Sequence, residues 1–273
     1  MLVSSPTDQT IINDSIKLAV TDCCLPMKLL HGHVAALAGK TDYLFLPRLV
    51  GRPGATYCPK VLAGPDVIKA TVPSLQPVIA PRLIGDYGPK DRRALYKCAL
   101  RFTTNLYAIS RAYQWAKDSI EPAISNTKDD SCAIALLGYS YITQDAAING
   151  NIKSKLAALG ARAVSTNDIL AAASRPALMP VKEPFWKDST RMLAAGLAAM
   201  EGQYPNIGGV VRLTSFSCGP DAVTDRLLET ASQHYQMPYL SISIDEHTAD
   251  AGIATRIEAF CDLISRRQLI KGN

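Results

Sequence analysis

The 273 residues predict an α/β fold of two Rossmann-like domains, each a parallel sheet flanked by helices. Three observations carry this reading. Short apolar runs that end in turn residues alternate with longer segments of helical period. A polar, turn-rich stretch, Asn126-Thr127-Lys128-Asp129-Asp130-Ser131, interrupts that rhythm, which then restarts. The length also exceeds the usual size of one domain. The division is therefore set at residues 1–130, holding Cys24 and Cys58, and 131–273, holding Cys218.

In the first domain, the apolar runs at Leu2 to Ser4, Tyr43 to Leu49 and Pro77 to Leu83 read as strands. Helical spacing marks Gln9 to Ala19, Pro26 to Ala38 and Asp66 to Val72, then a long stretch from Lys90 to about Ser125, broken at Pro122. Beyond the boundary, Cys132 to Tyr139 is a buried-strand run, and Ala146 to Leu159 is a helix closed by Gly160. Strands follow at Arg162 to Ser165, Val210 to Phe216 and Tyr239 to Ile244. Helices are read at Asp188 to Met200, Asp221 to Gln236 and Gly252 to Arg267.

A 48% hydrophobic, 19% charged composition suits a globular chain able to bury a core without staples. The formal charge of +5, from 29 basic and 24 acidic residues, is spread without a basic run longer than Arg92-Arg93 or Arg266-Arg267. That pattern argues against a nucleic-acid partner. The first residues lack a charged leader, and no apolar run reaches membrane-spanning length, so the reading is cytoplasmic with no membrane partner. In that compartment the seven cysteines are core fillers, metal ligands or nucleophiles rather than disulfides.

Cys98, Cys132 and Cys261 lie inside regular patterns with apolar neighbours, where a thiol acts as a small hydrophobe. Different surroundings apply to Cys24-Leu25-Pro26-Met27-Lys28, Tyr57-Cys58-Pro59-Lys60 and Ser217-Cys218-Gly219-Pro220-Asp221. Each places a cysteine at a helix start or strand-to-helix turn, where backbone N–H groups lower a thiol pKa and favour anions. Cys-Pro recurs around iron-sulfur ligands, yet no CxxC pair is present, so spacing alone leaves a shared metal site and three unrelated loop cysteines both open.

These motifs, with Gly32-His33, Tyr43-Leu44-Phe45-Leu46-Pro47-Arg48, Pro65-Asp66, Ser215-Phe216 and Asp245-Glu246-His247-Thr248, resemble one family. The match is to the acyl-CoA dehydratase activase-related proteins of the 2-hydroxyacyl-CoA dehydratase superfamily, which includes the 2-hydroxyglutaryl-CoA dehydratase D-component. The chain is similar as well to double-cubane cluster proteins. What the resemblance implies is an iron-sulfur cofactor, 4Fe-4S or a bridged double cluster, between the domains and ligated by Cys24, Cys58 and Cys218. It further implies low-potential electrons from an ATP-hydrolysing activase, delivered to an acyl-CoA or small-molecule substrate, in a homodimer or hetero-oligomer. No GxxxxGK[ST] phosphate loop occurs, so the ATP-driven step belongs to a separate chain. Alternative readings are an electron-relay or accessory subunit and a structural zinc protein.

Around the implied cluster, Lys28, His33, Lys60 and Asp221 are candidates for charge balance or hydrogen bonding, and His31 is weighed as a core histidine. Glu246 and His247, at a strand end, are candidates for proton transfer. The competing role for that loop is capping of the last helix, with Arg256 paired to a carboxylate.

Overall fold

A computed structural model describes residues 1–119, 132–174, 184–248 and 250–271. By their contacts these divide into two compact units. The first holds 1–23, 27–119 and 185–187, and the second 24–26, 132–174, 184, 188–248 and 250–271. Cys24, placed by the sequence reading in the 1–130 domain, groups with the second unit.

In the first unit, α1 (Gln9–Leu18) starts where the Asp8 carboxylate accepts the Ile11 N–H. It packs on α2 (Leu25–Ala35) at Gly32, where a Cβ would sit 2.3 Å from the Ile11 carbonyl oxygen, so only glycine permits the approach. β1 (Leu44–Phe45) and β2 (Arg48–Leu49) pair in parallel with β3 (Val78–Ile79) and β4 (Arg82–Leu83). Leu44 faces Val78 and Arg48 faces Arg82, so one register runs through both pairs. Pro81 has no N–H to donate to the facing strand, which divides the two expected strands into short pieces. Leu46 N–H to Ile79 O and Arg48 N–H to Pro81 O keep the ribbon continuous.

Between the strands runs α3 (Pro59–Thr71), which starts seven residues ahead of the expected Asp66. Val34, Leu44, Ile68 and Val72 close the core beneath it. α4 (Pro89–Ala99) and α5 (Leu106–Asp118) complete the unit. The long helix expected from Lys90 breaks before α5, where Asn105 caps Ala108 N–H through its side chain. The expected break at Pro122 and the 126–131 boundary lie outside the described residues. Leu2 to Ser4, expected as a strand, pairs with no other strand among the described residues.

The second unit is a four-stranded parallel sheet in the order β6-β5-β7-β8, made from β5 (Ala133–Leu137), β6 (Arg162–Ser165), β7 (Ile207–Ser215) and β8 (Tyr239–Ile244). β5 is buried at every residue, as its unbroken apolar run requires between two neighbouring strands and two helical layers. The helix expected over Ala146 to Leu159 is two: α7 (Ala146–Asn149) and α8 (Ile152–Ala158), following α6 (Ser140–Thr143). Gly150 (φ 59°) and Asn151 (φ 54°) are both left-handed, a conformation that ends helical hydrogen bonding.

A capping box between Ser165 and Asp168 starts α9 (Thr166–Ala172), which the sequence reading does not contain. α10 (Lys187–Met200), α11 (Gly219–His234) and α12 (Asp250–Lys271) finish the unit. Leu137, Leu193, Leu197, Val210 and Leu228 form its core.

Candidate functional site

Parallel strands share one carboxyl edge, the place where open α/β sheets receive ligands. In the second unit that edge carries Tyr139 after β5, Ser217 and Cys218 after β7, and Asp245 to Thr248 after β8. The chain order crosses from β6 over β5 to β7, making the β5–β7 boundary the switch point.

Cys218 is the N-cap of α11, with Gly219 and Pro220 as its first turn. The turn that delivers it is tight: Ser217 has φ 62°, and Cys218 N–H returns to the Ser215 carbonyl at 3.1 Å. Asp221 holds this turn from inside. One carboxylate oxygen accepts Ser215 N–H at 2.8 Å, and the other meets the Arg212 guanidinium. Both side chains are fully buried. Arg212 also donates to the carbonyls of Leu137 and Leu213, so one side chain ties the ends of β5 and β7 together. Burial pushes the Tyr139 phenol well above its usual range, with the negative charge of a Cys218 thiolate adding to the shift. The Tyr139 hydroxyl therefore keeps its proton.

A cleft of about 640 Å³ opens at this turn, lined by Cys218, Asp225, Ser241, Ser243 and Arg256 among others. A larger cavity, about 860 Å³, lies at the amino end of β8 beside Met237 and Tyr239, at the opposite edge from the cysteine turn.

Cys58 is the N-cap of α3, with Pro59 as the first helical residue. Its loop is fixed on both sides. Thr56 bridges in parallel to Trp186, while Lys187 donates to the Gly85 carbonyl at 2.7 Å and lies 5.4 Å from the Tyr57 ring centre. Within α3, Pro65 lacks an N–H, and the nearby Leu62 carbonyl accepts from Arg48 at 2.7 Å. Arg48 also pairs with Asp66 at 2.6 Å and holds that carboxyl below its ordinary range. Cys24 directly precedes α2 and is 4% exposed. Lys60, in the first turn of α3, donates to the Asp22 carbonyl at 3.3 Å and so connects the Cys58 helix start to the loop that enters Cys24.

Other sequence-selected residues sit as follows. His33 bonds Ser4 Oγ at 3.0 Å and Thr7 Oγ1 at 3.2 Å, anchoring the N-terminal segment. His31 is fully buried, with Nδ1 donating to the Met27 carbonyl at 2.6 Å and Nε2 without an acceptor or donor among the described residues. Lys28 is buried at 8% exposure on α2.

At the β8 end, burial pushes the Asp245 carboxyl up, but hydrogen bonds from Thr248 Oγ1 and the His247 N–H outweigh it and leave the group below its ordinary range. Asp245 thus orders the loop, Glu246 is half-buried, and His247 is exposed. Arg256 donates to the Ser241 carbonyl of β8 and forms no ion pair among the described residues.

All seven cysteines are outside disulfides. Among the described residues, no three His, Cys, Asp or Glu side chains are gathered at metal-binding distance. No helix among them is long and apolar enough to cross a membrane. The sequence reading misses Arg212, whose arginine sits in an apolar strand, and Tyr139. The only signal for either was position at or near a strand's carboxyl end.

Fold and site together define an α/β protein whose parallel-strand edge and helix starts present cysteines. The model of the CoA enzyme activase uncharacterised domain (DUF2229) matches residues 1–170, more than half the chain, and the protein belongs to that family. The matched span includes Cys24 and Cys58 and ends before Cys218. No curated protein matches the chain.

Proposed function

We propose that this member of the CoA enzyme activase family is an iron-sulfur protein in which Cys24, Cys58 and Cys218 hold a 4Fe-4S cluster or half of a bridged pair. One observation carries the reading: these three thiols, and none of the other four, each stand at the start of a helix. The donor set fits an anionic cluster, because a helix start stabilises thiolate and presents N–H groups to sulfur. Bound there, the group supplies one-electron transfer.

The chain's own residues have separable tasks. Pro59 and Pro220 stiffen the turns beside two of the sulfurs. Arg212 and Asp221 fix the backbone at Cys218, and Lys60 brings positive charge to the Cys24 and Cys58 loops. The resemblance to 2-hydroxyacyl-CoA dehydratases extends the proposal to an acyl-CoA substrate and to electrons from an ATP-hydrolysing activase on a separate chain.

The test is anaerobic reconstitution with iron and sulfide, followed by metal analysis. Brown protein with iron and sulfide bound per chain is expected. Colourless protein holding stoichiometric zinc would overturn the proposal. A spectrum of the reduced protein that changes on adding acyl-CoA separates an enzyme from an electron relay.

A further inference from the structure

Although no long basic run marks the sequence, the helical hairpin of α4 and α5 carries a charge surplus as large as that of the whole chain. Residues 88–118, which span α4 and α5, contain seven Lys and Arg against two Asp, a surplus of five that equals the net charge of the whole protein. One of those carboxylates, Asp91, is buried and spent on the backbone, accepting the N–H groups of Ile84, Gly85, Asp86 and Tyr87 at 2.6–3.1 Å. The other, Asp118, is bonded by Gln114.

The cations are ordered as well as numerous. Lys90, Arg93 and Lys97 recur at helical spacing along about 10 Å of α4, all exposed, and exposed Arg101 follows in the turn. No ion pair among the described residues involves any of the four. Large apolar side chains stand exposed on the same hairpin: Phe102 at 64%, Leu106 at 60%, Tyr107 at 71% and Trp115 at 74%. Only Ile109 of α5 is buried.

We infer that the α4–α5 hairpin is a docking surface for a protein partner presenting an acidic, amphipathic helix or comparable acidic face. Arg, Tyr and Trp together are the residue types that dominate protein-protein recognition, and a line of unpaired cations selects an acidic counterpart. Two other polyanions fit less well. Base stacking needs open ring faces, whereas Arg92 lies 6.0 Å from the Tyr96 ring centre and Arg111 5.9 Å from that of Tyr107. A bilayer needs a continuous apolar helix face, whereas exposed Arg111, Gln114 and Lys117 intersperse Tyr107 and Trp115. The inference does not rest on the cluster reading, and its test requires no metal.

The test titrates the full chain with four probes, following Trp fluorescence and anisotropy. They are a glutamate-rich amphipathic helical peptide with leucine at every third or fourth position, polyglutamate of equal charge, a 20-residue single-stranded oligonucleotide, and phosphatidylglycerol vesicles. The expected order puts the amphipathic peptide tightest, with affinity falling as salt rises. Arg93→Glu with Lys97→Glu should weaken that peptide at least about tenfold while leaving the thermal midpoint unchanged, because both side chains are exposed. Trp115→Ala should remove the peptide's advantage over polyglutamate. Tighter binding of oligonucleotide or vesicles, no binding of the peptide, or peptide binding indifferent to the charge reversal would each overturn the inference.

Discussion

Sulfur chemistry in this protein is set by the few backbone atoms around each thiol. Cys261 lies inside α12, where burial pushes its thiol up and the nearby Cys132 adds to the shift. Little thiolate forms there at neutral pH, so Cys261 should be the last of the seven to react with iodoacetamide in the native metal-free chain, as mass spectrometry of timed samples would show. Alanine at Cys24, Cys58 or Cys218 should each remove most bound iron. Alanine at Cys98, Cys132 or Cys261 should retain it and cost on the order of 1 kcal/mol of packing. Full iron in Cys58→Ala, or loss in Cys98→Ala, would show the ligands to be otherwise. At this scale the three helix-start cysteines are legible in the sequence, because Pro at one or two places beyond each marks a first helical turn. Arg212 is not, since nothing local shows that an arginine in Gly208-Gly209-Val210-Val211-Arg212-Leu213 finds a carboxylate nine residues later.

Among the elements, the strand-turn-helix of β7 and α11 depends most on one interaction. Asp221→Asn keeps the shape of the side chain but leaves the Arg212 charge buried without a counterion, a change that costs about 3 kcal/mol in comparable settings. Urea unfolding should register that loss, and the double variant Arg212→Met with Asp221→Leu should recover most of it. A single variant as stable as the parent would mean that the pair does not hold the turn. In the first unit, Arg48→Ala withdraws the donor that the Leu62 carbonyl uses beside Pro65, and about 1 kcal/mol of stability should go with it. Strand β5 can be read directly because burial between two parallel neighbours leaves an unbroken apolar run from Ala133 to Leu137. Helix interruptions at Gly150-Asn151 and ahead of Asn105 cannot, since local left-handed backbone and a side-chain cap outweigh an apolar period that continues through them.

For the molecule as a whole, acid sensitivity follows from several carboxyls held below their ordinary range. Asp66 is kept there by Arg48, Asp86 by Arg52 and the Gly88 N–H, and Asp245 by the Thr248 and His247 donors that outweigh its burial. A depressed folded-state pKa contributes stability above the unfolded value and loses it as pH falls through the folded value. The thermal midpoint should therefore be level between about pH 5 and 7 and decline below about pH 4, where free aspartate begins to protonate. Replacing all three by asparagine should flatten that decline. The α/β class is legible across the chain from its alternating rhythm. The small extent of the first unit's ribbon is not, because Pro81 leaves its apolar run intact while removing a ladder donor.

The central position of β5 has a consequence for how the protein would behave in heavy water. Its backbone is flanked by β6 on one side and β7 on the other, and every residue from Ala133 to Leu137 is buried. Fraying from an edge cannot reach those amides, so their protons should leave only when the second unit opens entirely. The slowest exchanging sites would then form a clock whose rate reports the stability of that unit alone, peptide by peptide, without a label or a bound group.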